Sequence, residues 1–296
     1  MREVTSVFQE GLMTGLSVSE ALNTQAQHLI QCYNVVPGPY GLEPRQEVSL
    51  PLSHLQGYPW PWPVCFCLSR HMLIFTPNQV FLADAEWDLQ LLAEGEWGSL
   101  PHVADFMDTV IWSAANGQWM FAPRGVTTRL GAKFKTCCNF RGQLIVGNGS
   151  LPNGPERLPD GTIKENNVPV EGSAIVGWTK IGALDWEYTL GNEVGWAPMP
   201  WDGEVLALLP LGKEVVVYGT NGCAKLSMAA SPVSTFGVQD FGDIGLLNAE
   251  CVAGDTTSHL YLGQDSALYL VEPERALSGE GKLPKRLGYD HWLRNL

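Results

Sequence analysis

The chain has 296 residues, of which 45% are hydrophobic and only 17% charged, and it carries 32 glycines and 20 prolines. That apolar content excludes a disordered chain, and a Gly-plus-Pro share of about 18%, against a usual ~12%, excludes a helical bundle rich in Ala, Glu, Lys and Leu. A net charge of −13 excludes a surface built to grip nucleic acid, because phosphate contacts need clustered Lys and Arg.

Residues 1–63 read as an N-terminal arm. Ser17-Val-Ser-Glu20 has the spacing of a capping box, and Ala21, Leu22, Ala26, Leu29, Ile30 and Tyr33 follow at helical intervals, which predicts a short helix over 18–31. Pro37-Gly-Pro-Tyr-Gly41 forces a turn and an extended chain, and residues 46–50 form a candidate strand. Tyr58-Pro-Trp-Pro-Trp-Pro63 is stiff, since each proline drives the residue before it out of helical space.

From residue 64 a pattern recurs: an apolar strand, a polar turn of two to four residues, a second apolar strand. Its copies are Met72-Leu-Ile-Phe75 with Val80-Phe-Leu82, Thr109-Val-Ile-Trp112 with Trp119-Met-Phe121, Gln143-Leu-Ile-Val146 with Ala174-Ile-Val-Gly-Trp178, Glu214-Val-Val-Val-Tyr218 with Ala224-Lys-Leu226, and His259-Leu-Tyr-Leu262 with Ala267-Leu-Tyr-Leu270. In the third copy a Gly/Pro/Asn-rich stretch over 147–172 separates the pair and reads as a surface insertion. Each pair follows a short apolar run, at 64–67, 102–106, 134–137, 205–208 and 250–252. Most copies end with a fourth run, at 89–91, 126–130, 186–188 and 233–236. Four antiparallel strands per 40-odd residues, repeated about five times, predict an all-β chain: a β-propeller of about five four-stranded blades over 64–296 behind an extended N-terminal arm. A blade cannot bury its faces alone. Stacking around an axis buries both, which suits continuously apolar strands such as Val215-Val-Val217, and the 11 tryptophans suit the gaps between splayed sheets. The C-terminal segment from Arg286 to Leu293 is a candidate outer or ring-closing strand.

Charge is uneven along the chain. Residues 84–108 carry seven acids and no base, 124–141 five bases and no acid, and 181–272 twelve acids against Lys213 and Lys225. The plain reading is solvated strand edges; the sharper one is complementary faces of an assembly. The seven cysteines have neither zinc spacing nor a C-x-x-C, so they are expected as small buried hydrophobes in a reducing compartment. The N-terminal MREVTSVFQEGL lacks an apolar run with a cleavage site, and no stretch is long enough to span a bilayer; neither a leader nor membrane insertion is expected. Asn148-Gly-Ser150 matches a glycosylation sequon that means nothing without secretion.

Catalytic constellations do not emerge. There is no G-x-S-x-G, H-E-x-x-H or G-x-x-x-x-G-K-[ST], and no two of the six histidines share an element at metal-ligand spacing. Asp185, Glu187 and Glu193 could be an acid/base pair, but a solvated strand end is the better reading. The expectation is a chain without cofactor, metal or enzymatic activity. Three functions remain open: a structural protein, a propeller binding a peptide or a glycan, and a propeller hydrolase.

Gly177-Trp-Thr-Lys-Ile-Gly182 with Asp185-Trp186, the run from Leu208 to Gly219, the run from Phe241 to Gly263 and the segment from Ala21 to Arg45 resemble the propeller-bearing hub, nozzle or stabilisation proteins of short-tailed bacteriophages. The resemblance covers most of 18–272. It implies a non-enzymatic virion structural protein of the tail or head–tail connection, assembled in the host cytoplasm. It also implies a ring-shaped homo-oligomer through which DNA passes during ejection, with portal, adaptor or other tail proteins as partners. In that setting Asp185, Glu187, Glu193, Asp202 and Glu204 are candidates for an acidic lumen that repels phosphate. Tyr58, Trp60, Trp62, Trp292 and the 147–172 stretch are candidate interface residues, because a Pro-rich arm loses little entropy on docking.

Overall fold

A computed structural model describes residues 35–38, 41–44 and most of 63–288. The predicted helix over 18–31, the strand at 46–50 and the interface candidates Tyr58, Trp60, Trp62 and Trp292 lie outside the described residues. The chain divides into two compact units, Met1–Ser53 and His54–Leu296. In the first, β1 (Val35–Gly38) pairs antiparallel with β2 (Gly41–Pro44).

The second unit is a five-bladed β-propeller. Blade one comprises β3 (Val64–Cys67), β4 (Met72–Phe75), β5 (Gln79–Ala83) and β6 (Leu89–Glu94). Blade two comprises β7 (His102–Phe106), β8 (Thr109–Ala114), β9 (Gly117–Ala122) and β10 (Gly125–Thr127). Blade three holds β11 (Lys133–Phe140), β12 (Gln143–Arg157), β13 (Ile163–Trp178) and β14 (Gly195–Pro198). Blade four holds β15 (Val205–Leu211), β16 (Glu214–Gly219), β17 (Cys223–Ser231) and β18 (Ser234–Gly242). Blade five holds β19 (Val252–Gly254), β20 (His259–Leu262), β21 (Leu268–Val271) and β22 (Lys285–Leu287). Within every blade the strands pair in chain order and antiparallel. The first strands β7, β11 and β15 lie against one another, which makes them the inner strands of blades two to four.

Burial follows this arrangement. The second strands β8 and β16 are buried at every position but their first, so both faces of each are packed. Four apolar clusters fill the seams between consecutive blades. The seam between blades one and two is aromatic: Phe75 meets Trp112 edge-on at 5.8 Å, Trp97 meets Trp119 edge-on at 5.5 Å, and Trp112 stacks on Trp119. Blade four also buries a cation. Lys225 Nζ lies 3.5 Å from Glu214 and 4.1 Å from the centre of the Phe241 ring.

Several sequence expectations change. The 147–172 stretch, read as a surface insertion, is carried by strands: β12 and β13 run on through it as a long hairpin, with register shifts at Gly147/Gly149, Leu151/Gly154 and Gly154/Glu156. The glycines and prolines there make irregular pairing without ending it. Trp186-Glu-Tyr188 is not the fourth strand of blade three. Trp186 and Tyr188 are buried, with the Trp186 indole donating to Leu130 O at 3.2 Å, and the outer strand is β14. Cys137, Cys138 and Cys223 are buried as expected, but Cys65 and Cys67 are exposed on β3.

Blades one and five each have a second face, and on blade one Ile74 is fully buried there. Blade one packs Leu73, Phe75 and Val80 against blade two. Its other face carries Cys65, Ile74, Phe81 and Leu91 in one cross-strand row and Cys67, Met72, Ala83 and Leu89 in the next. Blade five packs Tyr261, Tyr269 and Val271 against blade four and turns Ala253, Leu260, Leu270 and Lys285, with Leu262, Leu268 and Leu287, the other way. Among the described residues, no apolar cluster joins these two outward faces.

Candidate functional site

The strand ladder that builds each blade leaves the starts of the inner strands around one opening. A cavity of about 690 Å³ sits there, walled by the beginnings of β7, β11 and β15 and by the residues just before β19. That volume is in the range of small-ligand and peptide sites. Its charged and polar lining is Lys133 and Lys135 from blade three, Glu204 from the approach to blade four, Glu250 from the approach to blade five, and His102 and Gln118 from blade two. Phe134 is the one aromatic residue in the lining, and it is buried.

The walls are tied together across seams. Ser113 Oγ and Gln118 Nε2 donate to Phe134 O at 2.5 and 2.8 Å, joining blade two to blade three. Lys135 Nζ donates to Glu204 Oε2 at 3.0 Å. Asn148 Nδ2 donates to the same Glu204 oxygen at 3.0 Å and to Val205 O at 3.2 Å, joining blade three to blade four.

Asn148 reaches across because β12 bulges at that position. The register slips between Gly147 and Gly149, and Asn148 takes a left-handed φ of 55°. Asn tolerates this conformation better than most residues, and a bulge re-aims its side chain out of the ladder. Gly149 is required by contact: a Cβ there would sit 1.9 Å from Lys133 O. Asn148 is buried, so the sequon is closed to a glycan in this fold.

Electrostatics follow from these contacts. The Lys135 hydrogen bond, supported by Asn148, holds the Glu204 carboxyl below its ordinary range. Burial pushes the His102 imidazole down, against the opposing pull of Glu250, so the ring faces the cavity neutral near pH 7. The lining carries two lysines and two glutamates. It is a mixed-charge site and not an acidic one.

Of the five acids read as a lumen, only Glu204 lines this cavity. Asp185 and Glu187 lie in the connection after β13, where Asp185 Oδ1 accepts from the Glu187 amide at 2.9 Å. The Glu193 carbonyl accepts from Thr235 Oγ1, linking the approach to β14 with β18. Asp202 is exposed before β15, its carbonyl accepting from Asn221. The structure does not gather these acids. Sequence reasoning noted Lys133 and Lys135 only as part of a basic segment, read Asn148 only as part of a sequon, and did not single out Glu250 or His102 as site residues. A usable signal exists: Lys133, Glu204 and Glu250 each stand at or just before a copy's first apolar run, where inner strands begin.

Among the described residues, no group of three His, Cys, Asp or Glu side chains is placed to hold a metal ion, and no helix is long and apolar enough to cross a membrane.

No protein-family model matches the chain, and no curated protein matches it. Among solved structures it is similar to apo AztD from Citrobacter koseri, at 8% identity and a TM-score of 0.40 over 72% of this chain and 60% of that one. It is also similar to the AfRom2 CNH domain, at 10% identity and a TM-score of 0.36 over 76% and 72%. The Neurospora crassa Pan2 WD40 domain matches at 8% identity and a TM-score of 0.31 over 72% and 75%. The chain thus spans three fifths of the AztD chain. Likeness at this level says nothing of function, and the five-sheet architecture rests on the strand pairing itself.

Proposed function

We propose that this propeller is a binding module whose axial mouth takes a peptide carrying both acidic and basic side chains. The observation that carries the reading is the lining: Lys133 and Lys135 face Glu204 and Glu250 around about 690 Å³, with no exposed aromatic ring. Of the two ligand classes compatible with a propeller module, a peptide fits better. Glycan recognition leans on stacking of sugar rings against aromatic faces, whereas paired opposite charges fix the direction of an extended mixed-charge segment. The test is a peptide array of mixed-charge, all-acidic, all-basic and neutral sequences, read beside a glycan array. Mixed-charge peptides bind, and the double reversal Lys133→Glu with Lys135→Glu moves the preference toward basic peptides. Retention on glycans alone, or a peptide profile unmoved by that reversal, overturns the reading.

A second reading, the phage-tail subunit that the resemblance implies, is supported by Leu91 on blade one and Leu260 on blade five, large apolar side chains left exposed at the surface. Mass spectrometry of purified virions tests it, and absence of the chain from the particle refutes it.

A further inference from the structure

The charged groups around the axial mouth fall into two sets. Lys135 and Glu204 are already matched to each other: Lys135 Nζ and Asn148 Nδ2 both donate to Glu204 Oε2 at 3.0 Å. That set ties blade three to blade four, and a ligand group reaching either charge must first break the tie. Lys133 and Glu250 stand apart from it. Lys133 is the first residue of β11, two positions before Lys135 on the same exposed face of the strand, where the mouth opens. Glu250 stands just before β19, and both residues are exposed. Blades three and five are not neighbours in a five-bladed ring, so these two charges belong to opposite walls of the cavity. The charge of Glu250 reaches the His102 imidazole of blade two, which lines the same opening.

Resting on the peptide reading above, we infer that Lys133 and Glu250 are the residues that select the peptide. An extended segment lies across the mouth, with an acidic side chain on Lys133 of blade three and a basic side chain on Glu250 at blade five. Lys135 and Glu204 are positioning residues that hold the wall and do not choose the sequence. The physical reason is the difference between a paired and a single charge. A hydrogen-bonded pair of opposite charges presents little net field to an approaching ion, whereas a lone exposed charge attracts its opposite and repels its like. Charges at an exposed rim give modest affinity but real discrimination, because a like-charged group set against them is penalised. Their place on two walls suits an extended peptide better than a compact ion, which meets one wall at a time. It also fixes the direction of the chain, from the acidic end at blade three to the basic end at blade five. The ligand class narrows accordingly, to a segment with one acid and one base held apart, and excludes runs of either sign.

The experiment uses the full chain and end-blocked, fluorescein-labelled peptides in which two charged residues flank a run of glycines: Glu with Lys, Glu with Glu, and Lys with Lys, beside a Gln-with-Gln control. Fluorescence anisotropy at low salt ranks them. The wild type binds the Glu–Lys peptide about tenfold more tightly than either like-charged peptide. Lys133→Glu moves the preference to the Lys–Lys peptide, Glu250→Lys moves it to the Glu–Glu peptide, and the double variant returns to the Glu–Lys peptide. Lys133 and Glu250 are exposed, so these variants keep the wild-type circular dichroism and melting profile. Lys135→Gln and Glu204→Gln keep the wild-type ranking and lower the melting temperature instead. A wild type with no preference for the mixed-charge peptide sinks the peptide reading and this inference with it. A wild type that has the preference, but in which it follows Lys135 or Glu204 and is unmoved by Lys133→Glu or Glu250→Lys, overturns this inference alone.

Discussion

Asn148 offers the sharpest test of how the site is held, because one side chain ties blade three to blade four. Asn148→Gly keeps the left-handed backbone but removes both hydrogen bonds, one to the Glu204 carboxylate and one to Val205 O. A hydrogen bond contributes about 1 kcal/mol net, and the Glu204 bond stays near that value because the carboxylate is half-exposed. The expected loss is therefore roughly 2 kcal/mol. Asn148→Ala loses the same two bonds and adds about 1 kcal/mol for holding a Cβ in the left-handed region, roughly 3 kcal/mol in all. For a unit of this size, that ranking corresponds to falls in Tm of about 4–8 °C for glycine and 6–12 °C for alanine. Urea unfolding followed by tryptophan fluorescence reads both, with the midpoint moving at constant slope. In a double-mutant cycle with Glu204→Gln, the Asn148–Glu204 coupling comes out at about 1 kcal/mol or less. The reasoning is refuted if the glycine variant matches the wild type within about 0.3 kcal/mol, or if alanine costs no more than glycine.

Two further outcomes concern groups buried between strands. Lys225→Met removes the buried cation and leaves the mostly buried Glu214 carboxylate without it, which costs about 3 kcal/mol, whereas adding Glu214→Gln removes the second charge and recovers most of that loss; thermal melts of both variants check the order. His259 is held neutral by burial, accepting from Tyr218 Oη at Nδ1 and donating from Nε2 to Pro210 O, and His102 is likewise depressed. The unfolded chain takes up a proton on each near pH 6.5 and the folded chain does so only lower. Stability is therefore full above about pH 6.5 and falls as pH drops from there toward the folded pKa values, by at most about 1.4 kcal/mol per pH unit for each histidine. Urea midpoints at pH 7.5 and 5.5, where carboxylates remain ionised, show the loss; a His259→Gln variant with a smaller drop supports the assignment, and an unchanged drop in the double variant with His102→Asn refutes it.

What the sequence determined by itself was local. Runs such as Met72–Phe75, Glu214–Gly219 and His259–Leu262 are strands because their apolar residues leave no helical stripe and turn residues bound them. Their spacing set five blades of four strands, since strands joined by short turns pair with their neighbours in chain order. Local signals misplaced what depends on partners. Trp186 and Tyr188 have strand composition, but the core between blades two and three captured Trp186, Tyr188 is buried as well, and the less apolar Gly195–Pro198 took the edge position where a ladder was open. The Gly147-Asn-Gly149 trio sits inside a strand because bulged pairing tolerates it, and only the fold turns Asn148 toward another blade.

The site belongs wholly to the tertiary level. Lys135, Glu204 and Glu250 are scattered over more than a hundred positions and meet only because the inner strands begin around one opening. The net charge of −13 is a sum over the chain, and a sum does not fix where charges converge. At the mouth two lysines balance two glutamates, and four of the five acids that read as a lumen stand elsewhere. Closure was likewise invisible in the pattern. A blade-five strand reads the same whether its outward face is covered or not, because apolar periodicity records that a face must be buried and leaves to the packing what buries it.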